Sequence, residues 1–381
     1  MFVPLRGVRI LDLTRLLPGP FCSWILSSLG ADVLRLEDPH GGDYTRYLPP
    51  AIGRHGAMFH VLNRGKRSIV VDLRADGGAA VVHDLLGHRD VLLEGFRPGT
   101  LARLGLEPDE LRRRHPGLVV CSISGYGQDG PRASRAGHDL NYQALAGVLA
   151  LNGEPGGPPA IPGLPLADLT GAMQGALGIV AALLQRERTG EGAWIDVAMT
   201  ESVAALAAPL RGMDGFPADD RRGGAMLNGG LACYNVYRTR DDRYLAVAAL
   251  EPKFWAGLCA AVDHPEWAAL APVPGPEQAE VAAGLAEVFA ERPLDEWTRV
   301  FAGHDLCVEP VLSPSAAPSD EHAAVRGRVV EEGGFRWSGP PLGQVPPGDS
   351  PAAGEHTDSV LGEIGYSGDR IAELRRSRVI G

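Results

Sequence analysis

The stretch VRILDLTRLLPGPFCSWILSSLGADVLRLE, residues 8–37, contains the pattern that decides the fold. The apolar run at 8–13 predicts a strand, residues 21–29 after a Pro-Gly-Pro turn predict a helix, and residues 32–37 predict a second strand. A strand, a helix and a strand in such short order form a βαβ unit, in which the two strands lie parallel. This stretch therefore predicts an α/β fold.

The same alternation continues along the first third of the chain. Strand-like runs at 68–73, 91–93 and 118–123 are separated by helical segments such as 79–86. The alternation predicts a large domain with a Rossmann-like parallel sheet that is covered by helices on both faces. The turn at 14–20 lacks G-x-G-x-x-G, and no G-x-x-x-x-G-K-[ST] occurs, so the sequence carries no signature of a dinucleotide cofactor or of ATP chemistry.

The composition is typical of a soluble protein with two domains. The chain has 381 residues, 45% of them hydrophobic, and a formal net charge of −11, which argues against a general attraction to nucleic acid or anionic membranes. Residues 1–30 interleave charged and apolar residues, unlike a signal peptide, and no run of eighteen apolar residues predicts a membrane span. We therefore expect a cytoplasmic protein with neither a nucleic-acid nor a membrane partner.

A smaller α+β domain is predicted to follow the large one. Strands at 234–237 and 244–248, with helices at 252–262 and 277–290, form its pattern. We place the large domain at residues 1–190, a linker at 191–224, the small domain at 225–310 and a return linker at 311–324, with residues from about 325 to 381 completing the large domain. The polar part of the first linker, from 212 to 224, is expected to be exposed.

The cysteines and histidines form no metal-binding template. The five cysteines are scattered without a C-x-x-C pair, so we expect buried, reduced thiols. The eleven histidines include no H-E-x-x-H. We predict no metal site.

Four clusters in the first half of the chain share a resemblance to one family. They are RLEDP at 35–39 with GGD at 41–43, NRGKRS at 63–68, EGFRPG at 94–99, and SISGYGQDGP at 122–131 followed by GHD at 137–139. Together, and in this order, they resemble the class III CoA-transferases, whose members include α-methylacyl-CoA racemases. The resemblance extends over nearly the whole chain and implies an acyl-CoA substrate, with no cofactor beyond its coenzyme A moiety.

Three basic residues of these clusters are candidates for binding the phosphates of coenzyme A. Lys66 and Arg67 stand beside a glycine, and Arg97 precedes Pro98-Gly99, so all three are expected on turns where phosphate groups can be held. The alternative is that they are solvated loop charges. Asp38 departs from the family pattern, because some racemases of this type have an arginine there, and we assign it no role in CoA binding.

His138 is the candidate general base. It stands at the start of a predicted helix, where the positive end of the helix dipole favours the neutral imidazole that proton abstraction requires. A histidine in this position can also act only as a helix cap. The following Asp139 and the resemblance favour the catalytic role. Asn141 and Tyr142 are candidates for orienting the thioester, and Asp139 and Tyr142 are candidates for binding the coenzyme A substrate.

Two carboxylates complete the candidate set. Asp168 stands just before the predicted helix at 170–187, where it can cap the helix, take part in the chemistry, or do both. The resemblance implies that this aspartate is the nucleophile of the transferases and an acid/base group of the racemases. Glu251 matches the racemase glutamate that pairs with the catalytic histidine, although an acid ahead of Pro252 is also a common helix start.

Three functions remain open at this point. Racemisation α to a thioester needs two groups on opposite faces of the carbon, which His138 with Glu251 and Asp168 would supply. CoA transfer needs only a carboxylate nucleophile, for which Asp168 would suffice. Typical transferases of this class have Gly-Tyr-Asp or Gly-Phe-Asp where this chain has Gly137-His138-Asp139. They also often have a longer glycine loop where this chain has residues 228–230. Both differences favour racemisation over CoA transfer. The third hypothesis is a non-catalytic protein that binds acyl-CoA.

The resemblance also implies an assembly. Members of the family form an interlocked homodimer of two ring-like protomers, with each active site between the large domain of one chain and the small domain of its partner. By this analogy, His138 and Glu251 of different chains would meet.

Overall fold

The computed structural model describes residues 2–209 and 222–381, and the chain divides into two compact units. The first unit comprises Met1–Ala146, Leu164–Ala208 and Glu321–Gly381. The second comprises Gly147–Gly163 and Pro209–Asp320.

The sheet of the first unit confirms the predicted Rossmann-like architecture. Its six strands are parallel and lie in the order β5-β2-β1-β6-β7-β8. The order reverses between β1 and β6, which makes this a doubly wound sheet with a switch point there. The strands of the described residues are β1 Arg9–Asp12, β2 Asp32–Glu37, β3 Ala51–Ile52, β4 His55–Gly56, β5 Arg67–Val70, β6 Val91–Glu94, β7 Val119–Ser124, β8 Trp194–Ala198, β9 Tyr234–Arg238, β10 Tyr244–Ala248, β11 Val308–Pro310, β12 Val329–Glu332 and β13 Phe335–Ser338.

Helices alternate with these strands and cover both faces of the sheet. The first begins at Pro18, three residues before the predicted start, because proline is well suited to the first turn of a helix. The helices of the described residues are α1 Pro18–Ser28, α2 Ala57–Asn63, α3 Gly78–Leu86, α4 Thr100–Arg103, α5 Pro108–Arg114, α6 Asp139–Leu145, α7 Leu166–Thr189, α8 Met199–Leu206, α9 Pro252–Ala261, α10 Pro276–Ala290, α11 Leu294–Phe301, α12 Glu321–Val325, α13 Thr357–Glu363 and α14 Gly368–Arg376.

Each face of the central strands is buried against helices. On one face, Leu11, Leu34 and Leu92 pack into a core that includes Val82 of α3 and Leu361 of α13. On the other face, α1 and α7 pack against each other, and α7 packs against β7. Burial on both faces accounts for the nearly continuous apolar runs in the strands.

Glycine allows α7 to lie close to the sheet. A Cβ at Gly175 would approach the Ile123 Cδ1 to 2.9 Å and the Cys22 Sγ to 3.3 Å. Contacts this short leave little room for a larger side chain between the helix and the sheet.

By length and composition α7 is also able to cross a membrane, since it has 24 residues and a mean hydropathy of 1.4. Core helices of globular domains share these properties, and 44% of the apolar stretch is buried inside the protein. An apolar face of α7 that includes Met173, Leu177 and Leu184 remains exposed.

The second unit is a small α+β domain, as predicted. Its antiparallel sheet has the order β11-β10-β9. The core beneath it is rich in aromatic side chains: the ring of Phe289 lies 5.2 Å from the rings of both Tyr237 and Trp297. These three side chains are at most 3% exposed.

The unit boundaries differ from the predicted ones in three places. Residues 191–208, predicted as linker, contain β8 and α8 and belong to the first unit, because β8 completes the sheet by pairing with β7. Residues 147–163 belong to the second unit, and the chain returns to the first unit at Glu321, where β12 and β13 form a hairpin. Residues 212–221 of the predicted exposed stretch lie outside the described residues.

A buried ion pair of the first unit also binds its C-terminal segment. The Arg46 guanidinium donates two hydrogen bonds to the Glu37 carboxylate, at 2.9 and 2.6 Å, and a third to the carbonyl oxygen of Pro351 at 2.8 Å. Burial alone would raise the pKa of Glu37, but the hydrogen bonds and charges of Arg46 and Arg35 outweigh it and lower the pKa. The ionised carboxylate therefore stabilises the fold at neutral pH, and this contribution is lost on acidification through its lowered pKa.

We predict that Arg46→Met lowers the free energy of unfolding by about 3–5 kcal/mol, because it leaves the buried Glu37 carboxylate without its partner. Arg74→Met is the matched control. Its ion pair with Asp38 is exposed, so we expect a loss below about 1 kcal/mol. Urea denaturation measures both values, and equal losses in the two variants would contradict the prediction.

Candidate active site

The carboxyl ends of the parallel strands open into a cavity of about 520 Å³ within the first unit. It lies at the switch point between β1 and β6, the usual position of ligands in an open α/β sheet. Its walls come from the loops after β1, β6 and β7 and from the beginnings of α6 and α7. The polar side chains of the lining include Arg15, Arg97, Arg135, His138, Tyr142 and Asp168.

The loop after β1 is held in a strained conformation. Leu16 has a φ of 70°, in the left-handed region that leucine rarely adopts. Its backbone N–H donates to the Asp43 Oδ2 at 3.1 Å, and the same oxygen accepts from the Arg35 Nη2 at 3.2 Å. Both Arg35 and Asp43 are buried, so this ion pair fixes the wall of the cavity from beneath.

His138 lies at the N-cap of α6, as predicted. Its backbone N–H donates to the Asn141 Oδ1 at 3.0 Å, which anchors the first turn of the helix. His138 is exposed and lines the cavity. Its ring is therefore accessible to a ligand.

Asp168 lies inside the first turn of α7 rather than before the helix, since α7 begins four residues earlier than predicted. It is partly buried, and none of the described residues donates a hydrogen bond to its carboxyl group. Burial and then the nearby charge of Asp139 raise the pKa of Asp168 to about 7. The group is thus suited to both giving and taking a proton at neutral pH.

The Asp139 carboxylate is engaged inside the protein, and its predicted role in binding the substrate stays a prediction. Its Oδ1 accepts hydrogen bonds from the backbone N–H groups of Ala167, at 2.7 Å, and of Asp168, at 3.2 Å. Its Oδ2 accepts one from the Gln143 Nε2 at 2.6 Å. With both oxygens engaged inside the protein, Asp139 caps α7 and holds Asp168 in place.

Tyr142 lines the cavity, but its hydroxyl group is engaged. It donates to the carbonyl oxygen of Gly137 at 2.6 Å, and burial raises the pKa of Tyr142 to about 12. The ring needs space that only glycine leaves, because a Cβ at Gly125 would lie 2.5 Å from it and a Cβ at Gly137 would lie 2.7 Å from it. Tyr142 therefore shapes the wall of the cavity, and its predicted role in orienting a thioester stays a prediction.

Two of the three predicted phosphate-binding residues lie elsewhere. The Lys66 side chain is fully buried and donates to the Ser23 Oγ at 2.7 Å and the Asn63 Oδ1 at 3.0 Å. Burial lowers the pKa of Lys66 to about 7. Arg67 forms ion pairs with Asp32 and Glu363. Neither side chain faces the cavity, so their prediction as ligands is not supported by the structure.

Arg97 lines the cavity, as a phosphate-binding residue would, and it is joined by Arg15 and Arg135. All three are exposed, and within the described chain no carboxylate forms an ion pair with them. The sequence analysis missed Arg15 and Arg135. A signal for Arg15 existed, because it follows β1 directly and loops after parallel strands form the binding edge of such sheets.

A second cavity of about 280 Å³ adjoins the first, since Leu13, Thr14, Arg15, Phe96 and Thr100 line both. At its rim Asp38 forms an ion pair with Arg74. The acid at position 38 is therefore neutralised locally. The two cavities together offer room for an extended ligand.

Glu251 belongs to the second unit, where it is the exposed N-cap of α9 and Pro252 is the first residue of the helix. Its backbone carbonyl accepts from the N–H groups of Phe254 and Trp255. Its pairing with His138 stays a prediction.

One group of possible metal ligands occurs in the described chain, His60, Glu332 and Asp349, whose ligand atoms lie within 4.8 Å of one another. Glu332 already forms an ion pair with Arg64 at 2.6 Å and accepts from the ring of His60 at 3.2 Å. His60 and Glu332 are thus engaged by internal contacts, and the group lies apart from the cavity lining.

The pKa of Asp168 predicts how stability depends on pH. In the folded state the Asp168 carboxyl group keeps its proton up to about pH 7. Between about pH 4 and pH 7 the folded state therefore binds more protons than the unfolded state. The contribution of this carboxyl group to stability accordingly falls as the pH rises. We predict that Asp168→Asn is more stable than the wild type, with a gain that grows across this range to as much as about 4 kcal/mol. Urea denaturation at several pH values measures the gain, and a difference independent of pH would contradict the prediction.

Comparison with known proteins identifies the family of this chain. The model of CoA-transferase family III matches residues 5–357. Alpha-methylacyl-CoA racemase of Homo sapiens is 37% identical over 99% of this chain and 97% of the relative. Succinyl-CoA:glutarate CoA-transferase of Homo sapiens is 31% identical over 99% and 90%, respectively. A solved CAIB/BAIF family protein from Brucella suis has a TM-score of 0.82 at 29% identity, covering 96% of this chain and 100% of that one. The chain therefore belongs to CoA-transferase family III.

Proposed function

We propose that this chain is a racemase that interconverts the R and S forms of 2-methylacyl-CoA thioesters. The proposal rests on one observation: the imidazole of His138 and the carboxyl group of Asp168 line the same cavity. The pKa of Asp168 is about 7. Racemisation requires one group to remove the α-proton and another to return a proton on the opposite face.

The proposed reaction balances within the site. One of the two groups, as the free base, takes the proton from the α-carbon, and the electrons of the C–H bond pass into the thioester carbonyl to give an enolate. The other group, carrying a proton, delivers it to the opposite face of the carbon. The two groups exchange roles in the reverse direction, and no cofactor beyond the coenzyme A moiety takes part.

The arginines of the cavity suit the other end of the substrate. Coenzyme A carries phosphate groups, and guanidinium groups bind phosphate through paired, charge-assisted hydrogen bonds. Arg15, Arg97 and Arg135 supply three guanidinium groups that form no ion pair within the described part of the chain. An acyl-CoA can thus be bound by its phosphates while its thioester lies near His138 and Asp168.

CoA transfer between carboxylic acids is the second candidate, since family members that are transferases align with nearly the whole chain. In that reaction Asp168 would act alone as a nucleophile and form an acyl-enzyme. Its raised pKa favours proton transfer over nucleophilic attack, because only the ionised form attacks. Binding without catalysis is the third candidate, and the presence of His138, Asp168 and Glu251 together argues against it.

We further propose that the chain acts as an interlocked homodimer in which Glu251 of one protomer pairs with His138 of the other. A carboxylate beside the imidazole would fix its tautomer and stabilise the imidazolium. The apolar face of α7 agrees with an assembly, since Met173, Leu177 and Leu184 are 56%, 62% and 53% exposed in the single chain.

Incubation with one enantiomer of a 2-methylacyl-CoA in deuterated water should replace the α-hydrogen with deuterium and yield both enantiomers. Mass spectrometry detects the exchange, and chiral chromatography detects the racemisation. Asp168→Ala should abolish the exchange and the racemisation. His138→Ala should also abolish the exchange and the racemisation, while leaving any CoA transfer intact.

Two results would contradict this proposal. Absence of exchange, with movement of CoA onto an added free carboxylic acid, would establish the transferase instead. Racemisation at the wild-type rate in the His138→Ala variant would show that another group is the base.

Co-expression of His138→Ala and Glu251→Ala chains tests the shared site. If the two residues belong to one site in different chains, the mixed dimer has one site with both substitutions and one with neither. Purified, doubly tagged mixed dimers should then recover about half of the wild-type activity, because one of two sites is intact.

The two parental homodimers, purified with the same tags, are the controls. If both residues of a site come from the same chain, every site of the mixed dimer keeps one substitution. A folded mixed dimer that binds CoA but is no more active than either parent would rule out the shared site.

A further inference from the structure

Gln143 is a buried residue of α6 to which neither the sequence analysis nor the proposed reaction gives a role. It is 1% exposed. Its Nε2 lies 2.6 Å from the Asp139 Oδ2, four residues earlier on the same face of the helix. Asp139 in turn binds the backbone N–H groups of Ala167 and Asp168 through its other oxygen. A continuous chain of hydrogen bonds thus leads from Gln143 to the first turn of α7.

The orientation of the Gln143 amide indicates that the protein retains the hydrogen bond to Asp139 at the expense of another. Its carbonyl oxygen, Oε1, is buried and has no hydrogen-bond partner among the described residues, an arrangement that is unfavourable in a protein interior. Turning the amide over would place Oε1 against the Asp139 Oδ2, where two acceptors would repel each other. The fold therefore keeps a buried carbonyl unpartnered and the N–H donor on Asp139.

We infer that Gln143 is a positioning residue for the reaction proposed above: it fixes the Asp139 carboxylate against the first turn of α7 and thereby sets the place and the charge environment of Asp168. The inference rests on the proposed role of Asp168 in proton transfer. Gln143 itself touches neither substrate nor the reacting atoms.

The electrostatics of the site give this inference a measurable consequence. After burial, the charge of Asp139 is the second cause that raises the pKa of Asp168. The other ionisable groups around this turn are His138 and Tyr142 at the start of α6, and Tyr126 and Arg97 of the neighbouring loops. None of them hydrogen-bonds Asp139. Without the Gln143 donor, the Asp139 carboxylate is held less firmly beside the first turn of α7. Its charge then lies farther from Asp168 on average, and the pKa of Asp168 falls.

The test is a direct titration of Asp168 in the full-length protein. Carbon-13 NMR of aspartate-labelled protein identifies its carboxyl signal as the one missing in Asp168→Asn. Gln143→Met keeps the volume of the side chain but removes the donor. We expect the titration midpoint to fall by about 0.5–1 pH unit, the size expected for a weakened interaction between neighbouring carboxyl groups. The pH profile of α-deuterium exchange should move in the same direction.

Gln278→Met is the matched control. Gln278 is also a buried helical glutamine, 4% exposed, but it bonds the backbone of Ala271 and Ala232 in the second unit. This variant should lose stability like Gln143→Met and keep the wild-type midpoint. If Gln143→Met does not fold, Gln143→Asn provides the same test, because its shorter amide cannot reach Asp139.

An unchanged or raised midpoint in a folded Gln143 variant would overturn the inference, as would an equal fall in the Gln278 control. Failure of the proposed function can be distinguished from failure of this inference. If the wild type exchanges no α-hydrogen and the Gln143 variants still shift the titration of Asp168, the racemase proposal fails and the positioning role of Gln143 stands.

Discussion

The hydrogen bonds that Asp139 accepts at the beginning of α7 are the constraint on which the site depends. The first N–H groups of any helix lack partners within the helix, and α7 obtains an acceptor for two of them from the neighbouring α6. The negative charge of this acceptor also suits the positive end of the helix dipole. One carboxylate therefore joins the starts of two helices, and this brings His138 and Asp168, far apart in sequence, to one cavity.

The same contact explains why the sequence placed Asp168 slightly wrongly. The apolar spacing predicts a helix from residue 170, with Asp168 ahead of it, whereas α7 begins at Leu166. Helix periodicity reports the buried face of a helix, but the first turn of α7 is stabilised by a side chain from α6, which no local pattern contains. The strands that were predicted, β1, β2, β5, β6, β7, β9 and β10, lie within about three residues of their predicted bounds, because runs of β-branched and apolar residues are local signals. The pairing of β8 with β7 joins distant segments, and residues 191–208 were accordingly mistaken for linker.

Resemblance to a family motif identified the site better than it identified the role of each residue. Lys66 and Arg97 belong to motifs of similar appearance, yet Lys66 is buried among Ser23 and Asn63 while Arg97 lines the cavity. A turn with a glycine and a basic residue predicts a phosphate contact only when its side chain faces the open edge of the sheet. Which way it faces depends on packing against α1 and α2, beyond the motif itself. Asp139 illustrates the same point, because its position beside His138 was predicted and its use as a helix cap was not.

The charge of the whole chain and the charge of the cavity favour different partners, and the second decides the ligand. A net charge of −11 opposes nucleic acid and anionic surfaces, whose many phosphates interact with the field of the whole protein. The proposed acyl-CoA is small enough to interact mainly with the lining of the cavity, which presents three arginines that form no ion pair with any described residue. The one acidic group of the lining, Asp168, has a raised pKa and is only partly ionised at neutral pH. A positively lined cavity can therefore attract phosphates while the carboxyl group that lies in it adds little repulsion. The proposed binding of an anionic thioester by an acidic protein requires this combination.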